Sequence, residues 1–160
     1  TDDQLGFGTA ALSADGSRVI VGARQHDTGA GGDAGSAYVF VRTGTAWSEE
    51  AILVARDGAA MDRFGLGVSI SGDGARALVT AHGDDRPVGM DAGSVRLFLR
   101  SGTTWSEVST LASPTAAAFD LGGNAAAISA EGGRAVVGVP GADTAIGMNS
   151  GRAEVFTLTP

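Results

Sequence analysis

A chain of 160 residues with 43% hydrophobic residues is long enough to fold as one domain with a hydrophobic core. The formal net charge of −7 excludes the basic surface that a nucleic-acid-binding domain presents, so we expect no nucleic-acid partner. Cysteine is absent, which excludes disulfides and thiolate metal sites, and no apolar run reaches the roughly 20 residues of a membrane-spanning helix. The 26 glycines indicate many turns.

In the first part of the chain, short β-type runs alternate with turn residues. The runs lie at residues 10–13, 18–23, 36–42 and 47–53. Asp15-Gly16 separates the first two, and Asp-Gly between apolar runs predicts a β-hairpin. Apolar residues alternate in the third run and its other face is partly apolar, as in a strand of a sheet covered on both sides.

The same pattern recurs along the chain at a step of 58 residues, as Phe40, Phe98 and Phe156 show. Trp47 recurs as Trp105 with the same spacing. The later runs lie at residues 68–71, 76–81, 94–100 and 105–111, and then at 126–129, 134–139 and 152–158. Repeats of this length are typical of solenoids, propellers and arrays.

Four antiparallel strands per repeat are the blade of a β-propeller. We therefore predict an all-β fold with about three blades, at about residues 5–62, 63–120 and 121–160, the last without its fourth strand. Because about four to eight blades close a ring, the ring is expected to be partial or to be completed by other copies or further blades. The open strand 152–158 then predicts self-association.

Several motifs carry a family resemblance. They are Phe64-Gly65, the segment VIVGA at 19–23, VVGVPGAD at 136–143, GSAYVF at 35–40 and TAWS at 45–48. In this order they resemble the bacterial FG-GAP repeat, which is related to the blades of the integrin α-subunit propeller. The resemblance implies a propeller on an exported or surface protein that serves recognition or scaffolding, and it does not imply an enzyme.

The other two repeats depart from the Phe-Gly motif. Gly122-Gly123 replaces it in the third repeat, and Gly6-Phe7-Gly8 is shifted by about one residue in the first. In integrin-type blades calcium binds between the first and second strands, but here residues 13–17 offer one carboxylate. Because calcium takes about six to eight oxygen ligands, a calcium site is possible but not favoured, and we expect calcium to have little effect on stability. We expect no other metal and no cofactor.

Polar pairs recur in the loop between the second and third runs. In an antiparallel blade this loop lies on the same face as the loops between repeats, which carry Asp57, Asp62 and Asp120. The candidate ligand-binding residues are Asp27, Asp33, Asp84, Asp85, Arg86, Asp91, Asp143 and Asn149. They could bind sugar hydroxyls or a partner, or each Asp could bond its own loop backbone as an Asx turn.

Other chemistry-bearing residues have structural interpretations. His26 and His82 occupy different repeat positions, so no Ser-His-Asp arrangement is indicated. The two tryptophans are expected to pack over a neighbouring blade, and the repeated Arg18 is expected to lie on the solvated rim.

The functional prediction is a non-enzymatic propeller module that recognises a protein or glycan partner through the Asp-bearing loop face. The alternative is a structural or assembly segment of a larger exported protein, and a hydrolase is a third hypothesis. The loop face differs most between repeats, which favours binding. A secreted or cell-surface location is expected, and because residues 1–4 do not form a signal peptide, we expect that any such segment has been removed.

Overall fold

The computed structural model describes residues 4–159, which form eleven β-strands and no helix. The strands are β1 (Ala10–Leu12), β2 (Arg18–Ala23), β3 (Ser36–Thr43), β4 (Ala46–Leu53), β5 (Val68–Ile70), β6 (Arg76–Ala81), β7 (Ser94–Ser101), β8 (Thr104–Leu111), β9 (Ala125–Ile128), β10 (Arg134–Val139) and β11 (Arg152–Thr157). The predicted runs and the strands agree to within a residue or so at each end.

The strands form three antiparallel sheets in which sequence neighbours are also neighbours in space. Their orders are β1-β2-β3-β4, β5-β6-β7-β8 and β11-β10-β9. This is the predicted all-β architecture of propeller blades. Within residues 4–159 the third sheet has three strands, and Pro160 of the predicted third blade lies outside the described residues. The predicted blade boundaries stay predictions.

Hydrophobic cores fill the spaces between successive sheets. Between the first and second sheets, Phe64 is 1% exposed and meets Phe98 edge to face at a ring distance of 6.1 Å. Between the second and third sheets, Leu78, Val95 and Val137 are buried in a second core. Because the middle sheet is covered on both sides, its inner strands β6 and β7 are the most completely buried strands of the three sheets.

The Phe-Gly motif lies where one sheet meets the next. Gly65 donates its backbone N–H to the carbonyl of Thr80 at 2.8 Å, and a Cβ on Gly22 would lie only 1.8 Å from the Gly65 carbonyl oxygen. In the first repeat, Gly6 makes the equivalent bond to Gly22 at 2.9 Å. The motif of the first repeat is therefore Leu5-Gly6, shifted by one residue from the 58-residue step.

Two side-chain expectations need correction. Trp105 packs against the first core and its Nε1–H donates to Glu50 of the preceding sheet at 3.1 Å, whereas Trp47 is 45% exposed. Residues 4–159 contain no sheet on the side that Trp47 faces, so the prediction of packing was wrong for that residue. Arg18 does not lie on a solvated rim, because it pairs with the largely buried carboxylate of Glu50 at 2.9 Å.

Candidate functional site

The two ends of the sheets differ in their connections. Short hairpin turns lie at one end, which we call the hairpin end: residues 13–17, 44–45, 71–75, 102–103 and 129–133. Long connections lie at the other end, which we call the loop face: residues 24–35, 54–67, 82–93, 112–124 and 140–151. All eight candidate residues predicted from the sequence belong to the loop face.

Neighbouring loops of this face are joined through their backbones. In the first repeat, Met61 donates its N–H to the carbonyl of Gly32, and Arg63 donates to that of Asp33, both at 3.0 Å. In the second repeat, Phe119 bonds in the same way to Met90 at 2.8 Å. Met61, Arg63 and Phe119 have φ between 55° and 70°, a left-handed conformation that non-glycine residues seldom adopt. The loops therefore form a rigid, repeated framework.

The predicted polar pairs have a clear local role. The second residue of each pair is left-handed, with φ of 52° at Asp33, 48° at Asp91 and 49° at Asn149, and Asp and Asn tolerate this region better than most residues. The first residue of each pair accepts the backbone N–H of the second through its Oδ1, at 3.0, 2.9 and 2.8 Å. The pairs are Asp27 with Asp33, Asp85 with Asp91 and Asp143 with Asn149. This geometry supports the structural interpretation, and each first Asp is exposed on its other side.

Asp84 is placed differently from its neighbour Asp85. It is 6% exposed, accepts a hydrogen bond from Ser94 Oγ, and lies 2.7 Å from the guanidinium of Arg96. Arg96 is itself buried and also pairs with Asp57 at 2.9 Å. Burial lowers the pKa of Arg96, but the neighbouring carboxylates outweigh it and raise that pKa overall. Asp84 therefore supports the loop from inside and does not face solvent.

The same positions carry different side chains in the other repeats. In the first, His26 takes the place of Asp84, and its Nδ1 lies 2.9 Å from Ser36 Oγ. In the third, Arg152 pairs with Glu154 at 2.7 Å and lies 3.6 Å from Asp120. The backbone at the base of each loop is thus the same, but the side chains differ. They form a His–Ser contact in the first repeat, an Asp–Arg ion pair in the second and an Arg–Glu ion pair in the third.

A cavity of about 340 Å³ opens at the loop face between the second and third repeats. Its lining includes Phe119, Asp120, Asp143, Asn149 and Arg152. The corresponding space in the second repeat holds the ion-pair cluster of Asp84 and Arg96. The cavity therefore brings together two of the predicted site residues with an exposed aromatic ring and a guanidinium.

Exposed apolar side chains are the part of the loop face that sequence reasoning missed. They occur in pairs at equivalent repeat positions: Met61 and Phe119, Val88 and Ile146, Met90 and Met148, with exposed fractions of 49 to 88%. The sequence contains a signal for these residues, because apolar residues recur at matching positions of loops that are otherwise polar. Apolar side chains exposed at matching positions are therefore a repeated feature of this face.

Two further titratable groups of the loop face have shifted pKa values. Burial, with Arg63 and Arg24, lowers the pKa of His82, while Asp91 acts in the opposite direction. Burial raises the pKa of Asp62 to about 6, and one of its oxygens accepts the backbone N–H of Ala59 at 2.8 Å. Arg86 of the predicted site is partly buried.

Among residues 4–159, no group of three or more His, Asp and Glu side chains is placed to hold a metal ion. In the same part of the chain, no helix could cross a membrane. The expectation that calcium has little effect stays a prediction.

The stacked four-stranded sheets define the chain as a set of β-propeller blades. Residues 47–98 match the family model described as the FG-GAP repeat, which is the family that the motifs resemble. Hydrazine synthase of Kuenenia stuttgartiensis is similar in structure, with a TM-score of 0.53 and 17% sequence identity over 86% of this chain. The chain spans 30% of that protein, and at this identity the likeness shows the fold alone. No curated protein matches the chain in sequence.

Proposed function

We propose that this propeller module is a non-enzymatic recognition unit that binds a protein partner through the loop face. One observation carries the proposal: apolar side chains at equivalent positions of successive loops are exposed on a framework that backbone hydrogen bonds hold in place. A rigid apolar surface loses little conformational entropy on binding.

A protein partner fits this surface better than a glycan. Five of the six exposed apolar side chains are methionine or aliphatic, which bury apolar area but offer no flat ring for stacking on a sugar, and Phe119 is the one aromatic ring among the six. The carboxylates of Asp27, Asp85 and Asp143 lie on the same face as polar groups that suit a rim. FG-GAP repeats are typical of extracellular proteins, so the proposal includes an exported location.

The test is selection of binding peptides from a phage-displayed random library, with a glycan array as a parallel arm. We expect peptides with apolar anchors to be enriched on the wild-type chain and to lose binding to the triple variant Met61→Ser, Met90→Ser, Phe119→Ser. Leu12→Ser is the matched control, because Leu12 is 60% exposed at the hairpin end. Peptides that bind the triple variant as well as wild type would contradict the proposal, and binding to the array alone would favour a glycan.

A second candidate function is assembly into a larger ring, and one observation favours it. β11 is an edge strand of its sheet, and Val155 and Val136 on that sheet are 67% and 41% exposed. Val155→Pro would remove a backbone donor from this edge, since proline is excluded from strand interiors. If assembly is the function, light scattering should show association in wild type and loss of it in the variant. A strictly monomeric wild-type chain at high concentration would contradict assembly by self-association.

A further inference from the structure

Three basic side chains, those of Arg24, Arg63 and His82, lie near the junction of the first two repeats. Gly65 bonds through its N–H to Thr80 and lies against Gly22, as described above. Arg24 and His82 follow Gly22 and Thr80 by two residues, and Arg63 precedes Gly65 by two. A further backbone bond, from Gly83 N–H to the Asp62 carbonyl at 3.2 Å, holds the His82 and Arg63 segments together.

Polar atoms in this cluster have no partner within the part of the chain that the structure describes. Arg24 Nε and His82 Nδ1 are buried atoms without a hydrogen bond, and neither Arg24 nor Arg63 has a carboxylate within 4.0 Å. The Arg24 guanidinium lies 4.4 Å from the ring centre of Phe7, which orients it. Buried donors that lack an acceptor are costly, so each one calls for an explanation such as a bound ion.

The electrostatics are unusual for an acidic protein. The chain has a net charge of −7, and acidic groups elsewhere neutralise Arg18, Arg96 and Arg152. At this junction burial, Arg63 and Arg24 lower the pKa of His82, and Asp91 acts on it in the opposite direction. The fold does not require them, because Leu121 and Pro140 occupy the positions of Arg63 and His82 in the third repeat.

We propose that Arg24, Arg63 and His82 form a binding site for an oxyanion, meaning a carboxylate, sulfate or phosphate group. Guanidinium and imidazole N–H groups are the donors that such oxygens prefer. The site lies on the loop face. The inference that it contacts an acidic group of a partner protein rests on the proposed function. Binding of a free anion does not rest on it.

The test is titration calorimetry of the full chain with sodium sulfate, phosphate and acetate at constant ionic strength in chloride. We expect saturable binding in the low-millimolar range or tighter by at least one anion. Arg24→Gln and Arg63→Gln should each weaken it about tenfold, since each removes a charge-assisted hydrogen bond. Arg134→Gln is the matched control, because Arg134 is exposed at the hairpin end and should leave the affinity unchanged.

A second measurement covers the case in which a variant fails to fold. The imidazole signals of His82 are followed by NMR in wild type as pH is varied, with and without the anion that binds. Because an anion favours the imidazolium, the pKa of His82 should rise in its presence, and addition of the anion at fixed pH should leave the His26 signals in place. Absence of saturable binding, an unchanged His82 pKa, or equal weakening by Arg134→Gln would each overturn the proposal. Anion binding without any peptide partner would support the site and count against the proposed function.

Discussion

The hairpin end and the loop face belong to the same 58-residue repeat. They differ in which features recur from one repeat to the next. At the hairpin end, Ser13 Oγ donates to Asp15 at 2.7 Å, and Ser71 donates to Asp73 in the same way. Successive hairpins are joined by backbone bonds, such as Ala14 N–H to the Gly72 carbonyl at 2.9 Å. Side chains and backbone both repeat there.

At the loop face the backbone and the polar pairs repeat, but the side chains at the base of each loop do not. The left-handed residues and the bonds between loops recur, while the side chains at the loop base change from His26 to Asp84 to Ala142. The difference shows that a repeat protein can keep the side chains of its turns constant at one end and vary the side chains of its loops at the other.

The largest expected effect comes from the buried ion pair beneath the loop face. Asp84→Ala leaves Arg96 buried without its closest carboxylate, and breaking a buried pair in this way costs about 3–5 kcal/mol of the free energy of unfolding. Asp85→Ala removes only an exposed loop hydrogen bond and should cost about 1 kcal/mol. Urea unfolding of both variants measures the contrast. Equal losses would mean that the two neighbouring aspartates have the same role.

The next effect concerns the repeated left-handed positions. Asp91→Val places a β-branched residue at φ of 48°, which should cost about 1–2 kcal/mol, while Asp91→Gly should be close to neutral. Within residues 4–159 the Asp91 side chain accepts no hydrogen bond, so both variants differ from wild type in backbone strain and not in a lost hydrogen bond. Thermal melts of the two variants test it, and a glycine variant as unstable as the valine variant would show that strain is not the cause.

The smallest effects are opposite pH responses of the two ends. The pKa of Asp62 at the loop face is raised to about 6 from an ordinary 3.8, because burial disfavours its charged form. Its contribution to stability is fully present below pH 3.8 and is lost as pH rises through about 6. Asp62→Asn keeps an acceptor for Ala59 and should therefore be more stable than wild type at pH 7, by roughly 1 kcal/mol.

At the hairpin end the sign reverses. The Ser13 hydroxyl and the backbone N–H of Ser17 lower the pKa of Asp15 to about 2. The Ser71 hydroxyl, followed by the Ala75 N–H, lowers that of Asp73. These groups stabilise the fold above pH 3.8, and the stabilisation is lost as pH falls toward 2. In the double variant Asp15→Asn, Asp73→Asn, the free energy of unfolding should depend less on pH below 3.8 than in wild type. Between pH 4 and 6, where Asp62 titrates, the pH dependence should be the same as in wild type. If the double variant changed the pH dependence of stability in both ranges, the aspartates at the two ends would not titrate independently.

The strands and hairpins could be predicted because their causes are local. Asp15-Gly16 forms its turn with Gly16 at φ of 62°, and the alternation along β3 and β7 places apolar residues on the buried face. The repeated Asp and Asn positions could also be interpreted as loop capping from the sequence. These features depend on residues a few positions apart, which is the range that a sequence pattern describes.

The amino-acid sequence by itself determined the repeat, the strand pattern and the FG-GAP resemblance. Only the tertiary structure decided that Asp84 is buried while Asp85 is exposed, and that Trp105 packs while Trp47 does not. It also decided which cations meet at the junction of the first two repeats. Exposure and pairing depend on residues that are a whole repeat apart in sequence, and stacking of the sheets brings those residues together.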